Sequence, residues 1–271
     1  MWRYALIGIP VSSMIGLASI GGLGATERNV DLELVLAADI SRSMDLDEAA
    51  LQRQGYAHAI RHPAIVGAIR AGAYGRIAVT YMEWAGEETQ QILAGWAEIS
   101  DQASAEAFAQ VIERADLGVA RRTSISAALL SAARLFDANG FRGGRRIIDV
   151  SGDGPNNSGV YVVAARDRVV AAGITINGLP IISNRPNPSG YPDLAELDLY
   201  YEDCVIGGPA RFMVVARGFK DFARAIRRKM FLEIAGVITP PRLLHLAAKK
   251  RRPPCDIGEK QRQEWMLNFN E

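Results

Sequence analysis

The chain has 271 residues, 49% hydrophobic and 23% charged, enough for one large domain or two small ones with a substantial core. Lys plus Arg total 31 against 30 Asp plus Glu, and this net charge of +1 excludes a dedicated nucleic-acid binder, whose phosphate contacts demand a basic face. Histidines at 58, 62 and 245 and two cysteines form no zinc-ligand spacing.

At the N-terminus, Arg3 precedes an uncharged stretch from Tyr4 to Thr26 that is rich in Ile, Leu, Ala, Gly and Ser. A positive start, an apolar middle and small residues near Gly22, Gly24 and Ala25 read as a secretory signal. An uncleaved membrane anchor is the alternative, since about 20 apolar residues can just span a bilayer. Pro10 and the glycines favour cleavage. Either way residues 1–26 send the domain out of the cytoplasm, to be periplasmic, secreted or anchored through residues 4–25.

The body alternates strand and helix signals. Leu32 to Ala38 is an apolar run broken only by Glu33, as in a strand buried on both faces. Asp45 to Arg61 predicts a helix with acids near its positive end, and Pro63 to Arg70 a second short one. Arg76 to Trp84 is the next strand, and Gln90 to Trp96 pairs beside it as an edge. Ser104–Arg114 and Ser124–Asp137 are helical, and Asn139-Gly140 ends the second. Arg146–Val150 is a strand, Val160–Ala172 a helix, and Ile174–Leu179 another buried strand. A loop rich in Pro, Asn and Ser runs from Ser183 to Pro192. The last strand is expected at Arg211–Ala216 and the last helix at Phe219–Ile234, with an apolar stripe at 219, 222, 223, 226, 230 and 234.

This alternation predicts an α/β fold: a doubly wound, mostly parallel sheet with helices on both faces and one antiparallel edge strand. The domain is expected over residues 30–236. Residues 237–271 read as a solvated tail, with prolines bracketing the basic run Lys249 to Arg252 and a short helix around Leu243–Ala248. Cys204 and Cys255 are either joined, tying the tail down, or two unpaired thiols.

The residues that carry chemistry sit where strands end. Asp39-Ile40-Ser41-Arg42-Ser43 closes the first buried strand, placing one carboxylate and two hydroxyls at alternate positions. Thr123 opens a helix, and Asp153 lies in Ser151-Gly152-Asp153-Gly154 after a middle strand. In a doubly wound sheet, ligands sit outside the carboxyl ends of the strands, so Asp39 and Asp153 share a rim. Oxygen-only donors suit Mg²⁺ first, with Mn²⁺ or Ca²⁺ as alternatives, rather than zinc or copper.

Strand, Asp-x-Ser-x-Ser, distant Thr, then strand and Asp is the order of a metal-ion-dependent adhesion site, and the chain resembles a von Willebrand factor type A domain over residues 30 to 236. Within that fold it looks most like a bacterial family of exported type A proteins of unknown function (DUF1194-type). The stretches that suggest this are Asp31–Met44, Leu51–Tyr56, Ser151–Gly154 with Asn156-Asn157, and Cys204–Pro209.

The resemblance implies metal ligation by Asp39, Ser41, Ser43, Thr123 and Asp153. The serines would bind directly, the aspartates largely through water, and Thr123 would join or leave as the site changes state. It implies a protein-interaction module, not an enzyme, whose cation is bridged by an acidic residue of an unknown protein partner. Family members can couple that event to movement of the last helix. Arg42, and Arg121-Arg122 before Thr123, depart from the glycines common in those slots: they oppose the cation, help to hold an acidic ligand, or simply point to solvent.

Two other functions compete. A phosphoryl-transfer hydrolase of the haloacid dehalogenase type needs a second Asp where Ser41 stands. An intracellular type A partner of an ATPase conflicts with the N-terminal signal. Tyr191, Tyr200 and Tyr201, beside acids, form either a partner-facing surface or a segment packed on the domain.

Overall fold

A computed structural model describes residues 27–183, 190, 192–236 and 252–268. A six-stranded sheet runs β4-β3-β2-β6-β7-β8, comprising Gln90–Ile99, Ile77–Trp84, Glu33–Asp39, Arg146–Gly152, Thr175–Ile182 and Ala216–Arg217. All neighbours are parallel except the edge pair β3 and β4. The α/β reading holds. Outside this sheet a small parallel pair, β1 (Arg28–Val30) with β5 (Phe141–Gly143), escaped the sequence because three-residue strands carry no period.

One face carries α1 (Leu46–Ile60), α2 (Pro63–Arg70), α3 (Gln102–Arg114) and α7 (Phe219–Ala235), packed over Leu34, Leu36 and Val79. The other carries α4 (Ile125–Arg134), α5 (Val162–Ala171) and α6 (Leu197–Tyr200), packed over Val35, Ala37 and Val150. Every residue of β2 and β3 is buried, which is why they read as continuous apolar runs. Asp45 caps α1 with a full capping box to Glu48.

Three expectations change. The last strand is only Ala216–Arg217, because residues 207–214 bond to β7 one at a time, through Gly207, Phe212 and Val214, rather than as a ladder. On α7 the stripe holds at Phe222, Ile226, Met230 and Ile234, but Ala223 is exposed and Lys229 and Glu233 are buried instead.

The C-terminal residues are not wholly a solvated tail. Residues 252–268 include α8 (Ile257–Asn268), and Cys255 is disulfide-bonded to Cys204 on a single π-helical turn, Tyr201–Val205. Arg252, from the basic run, pairs with Glu202 and Asp203. The helix expected at 243–248 lies outside the described residues, as do Tyr191 and most of the 183–192 loop. Tyr200 and Tyr201 are packed into the core.

Candidate metal centre

Asp39 is the last residue of β2, and Asp153 follows the last residue of the neighbouring β6. Parallel register therefore brings their carboxylates to one rim. Asp39 Oδ1 accepts the Ser41 backbone N–H at 2.7 Å, fixing the turn that lifts both serines over the strand end. The Ser41 and Ser43 hydroxyls lie 2.9 Å apart, and Ser43 donates to Asp153 Oδ1 at 2.6 Å. Asp39, Ser41, Ser43 and Asp153 thus form one contiguous cluster.

Thr123 reaches the same rim by another route. Its N–H donates to Asn157 Oδ1 at 2.9 Å, and Asn157 N–H returns a bond to its carbonyl at 2.8 Å. A Cβ added at Gly154 would sit 4.0 Å from Thr123 Oγ1. Asn156 accepts from Ser126 N–H, so the two asparagines clamp the entrance of α4 to the loop carrying Asp153.

Behind the cluster runs a buried polar chain. Gln52 Nε2 donates to the Asp39 carbonyl at 2.6 Å, Ser151 donates to Gln52 Oε1, and Tyr56 donates to Ser151. Sequence patterns marked the Gln52 and Asn156-Asn157 stretches but gave these residues no role. Tyr201, which the sequence leaves as either partner-facing surface or packed segment, borders the site, and no motif marks it because its approach to Asp39 is made through the fold.

Asp39 Oδ2 and Tyr201 Oη are both buried without a hydrogen-bond partner among the described residues. A Cβ at Gly152 would lie 2.9 Å from the first and 2.8 Å from the second, so the glycine keeps both atoms bordering one small space. Burial, and then the charge of Asp153, push the Asp39 pKa well up. Asp153 is half-buried, and enclosure of its carboxylate raises its pKa to about 7. Two crowded carboxylates favouring protons, with an orphaned buried oxygen, are the electrostatics that a bound cation would relieve.

The donor set fits a hard divalent ion: two carboxylates and three hydroxyls, with no nitrogen or sulfur. Among the described residues no group of three or more His, Cys, Asp or Glu is placed to hold a metal, so any binding here leans on hydroxyl oxygens.

The docked C-terminal helix meets the site's loop. Glu259 Oε1 accepts from Asn156 Nδ2 at 2.7 Å, and Arg262 donates to the Asn157 carbonyl at 3.1 Å. A Cβ at Gly258 would fall 2.1 Å from the Asn156 carbonyl oxygen, so helix and loop touch backbone to backbone.

Solved structures share this fold. The pilus adhesin SpaC from Lactobacillus rhamnosus GG matches with a TM-score of 0.54 and 12% identity, over 77% of this chain and 31% of that one. Proximal thread matrix protein 1 from the mussel byssus, with a zinc-occupied MIDAS motif, matches with 0.53 and 11%, over 78% and 50%. A von Willebrand factor type A protein from Catenulispora acidiphila matches with 0.50 and 17%, over 76% and 43%. The chain therefore spans half or less of each. A search of curated proteins gives no match. The family model described as "Protein of unknown function (DUF1194)" matches residues 29–238, and with the fold just described, the chain belongs to this family of von Willebrand factor type A-like domains.

Proposed function

We propose that the protein is an exported, metal-dependent protein-interaction module. Asp39, Ser41, Ser43, Thr123 and Asp153 hold a divalent cation, Mg²⁺ first among candidates, and a carboxylate of a protein partner completes its shell. The observation that carries this reading is the cluster itself. Two strand-end carboxylates are linked through the Ser41 backbone N–H at one end and the Ser41 and Ser43 hydroxyls at the other, and Asp39 Oδ2 is buried without a partner among the described residues.

When bound, the ion would supply an electrophile with an open position, because most of its protein donors are neutral. The chain's own residues do the rest. The Asn156-Asn157 clamp holds Thr123 at the rim, and Gln52 fixes the backbone beneath Asp39. Ser41 stands where a hydrolase would need its second aspartate, so the reading is non-enzymatic. Among the described residues no helix is long and apolar enough to cross a membrane, and residues 1–26 carry the export reading.

Calorimetric titration of Mg²⁺ and Mn²⁺ tests the site. Saturable binding lost in Asp39→Ala and in Ser41→Ala/Ser43→Ala is the expected result. Equal heats from the wild type and both folded variants would sink it.

A further inference from the structure

Three arginines stand at the rim of the cluster. Arg42 lies between Ser41 and Ser43, and Arg121 and Arg122 directly precede Thr123. The two segments run side by side: Ala120 N–H donates to the Ile40 carbonyl at 2.9 Å, and Ser41 bridges Ala120 in parallel register. All three side chains are exposed, and none makes an ion pair or side-chain hydrogen bond among the described residues. Arg122 holds φ at +70°, a left-handed conformation that glycine adopts far more readily. Its loop is pressed onto Gly86, where an added Cβ would lie 2.8 Å from the Arg121 carbonyl oxygen.

Three cations beside a cation site, unpaired among the described residues, are unfavourable by themselves, because they repel the metal. A ligand with a single carboxylate, spent on the metal, leaves the guanidiniums without an anionic partner. A ligand with several adjacent carboxylates satisfies both demands: one oxygen for the metal, the others for guanidinium forks, which match carboxylates bidentately. The same two segments also expose Leu46 (53%), three residues after Ser43, and Leu117 (47%) and Val119 (36%), just before Ala120. Aliphatic side chains interleaved with arginines suit a protein segment better than a polyphosphate or a sulfated glycan.

We infer that this site recognises a protein segment with at least two neighbouring acidic residues flanked by apolar ones, read jointly by the metal and by Arg42, Arg121 and Arg122. The inference rests on the metal-bridge reading above. It makes a paired demand: the arginines weaken metal binding in the free protein and strengthen ligand binding in the loaded one.

The test uses the whole chain and two capped peptides, Leu-Asp-Glu-Asp-Leu and Leu-Ala-Asp-Ala-Leu, titrated with and without Mg²⁺. In Mg²⁺ the triacidic peptide is expected to bind about ten-fold tighter than the monoacidic one, and chelation abolishes both. In Arg42→Ala/Arg121→Ala/Arg122→Ala the preference falls to within about two-fold while Mg²⁺ affinity without peptide rises several-fold. Arg122→Gly, which suits the backbone at that position, gives a smaller shift in the same two directions without risk to folding. Equal peptide affinities in the wild type, an unchanged preference in the variants, or full competition by inorganic polyphosphate would overturn the inference. Triacidic binding that survives chelation would instead remove the metal bridge beneath it, and absence of Mg²⁺ binding with or without peptide would do the same.

Discussion

Ser43, on the loop after β2, donates its hydroxyl hydrogen to Asp153, beyond β6, across 2.6 Å and 110 residues of sequence. This bond joins the two ends of the cluster, and a cation would compete for the same oxygens. Mg²⁺ at about 100 times its Kd should therefore raise unfolding free energy by about 2.7 kcal/mol, a Tm increase of roughly 5–10 °C for a domain of this size. In Ser43→Ala the increment should fall by more than half, while metal-free stability drops by only about 1 kcal/mol. Melting curves with Mg²⁺ and with chelator read both quantities. An undiminished Mg²⁺ increment in Ser43→Ala would exclude that hydroxyl as a ligand.

Tyr201 poses a different question. Its hydroxyl is buried near Asp39 Oδ2 with no partner among the described residues, so it gives up hydration without a hydrogen bond from them in return. Tyr201→Phe should leave metal-free stability unchanged or raise it by about 1 kcal/mol. Chemical denaturation measures this. A loss of more than 1 kcal/mol would mean that the phenol is bonded in solution.

Much of this was legible in the sequence. Continuous apolar runs at Leu32–Ala38 and Ile174–Leu179 mark buried parallel strands, and the strand-end rule puts Asp39 and Asp153 on one rim. Lys229 and Glu233 were not legible. They share the buried face of α7 with Phe222 and Ile226, where the helical period expects apolar residues, and they are held there by the pairing of Lys229 with Asp149 and by the bond from Asn177 to Glu233. Helix α8 was hidden for another reason. It has no apolar stripe, because a disulfide, the Asn156–Glu259 bond and the bare backbone of Gly258 hold it in place.

That attachment should be severable. Cys204 and Cys255 are 51 residues apart, and loop-closure entropy gives the bond a stabilising contribution of about 4 kcal/mol as a ceiling. Cys204→Ser/Cys255→Ser should lower stability by about 2–4 kcal/mol and speed amide hydrogen exchange in residues 153–160, which lose Glu259 and Arg262 as partners. If exchange quickens only in α8, the strap does not support the site's loop.

The polar centre beneath α7 makes stability depend on pH. Lys229 Nζ lies 2.7 Å from Asp149 Oδ1 and 2.6 Å from Glu233 Oε1, and Asn177 donates to the same Glu233 oxygen at 2.9 Å. Asp149, Lys229 and Glu233 are fully or almost fully buried, and one ammonium cannot neutralise two carboxylates. Burial first, then the charge of Asp149, raise the Glu233 pKa from 4.5 to about 7 despite Lys229. A folded-state pKa above the unfolded one means that folding favours the protonated acid. The stability this gives is complete below about pH 4.5 and is lost as pH rises through 7. Glu233→Gln keeps the acceptor for Lys229 and Asn177 but cannot ionise, so it should track the wild type near pH 4.5 and exceed it at pH 8. The gap should approach about 3 kcal/mol as a ceiling. Comparing the two proteins at each pH cancels the titration of Asp39 and Asp153, which both retain. A stability difference that stays constant from pH 4.5 to 8 would mean that Glu233 does not gain a proton on folding.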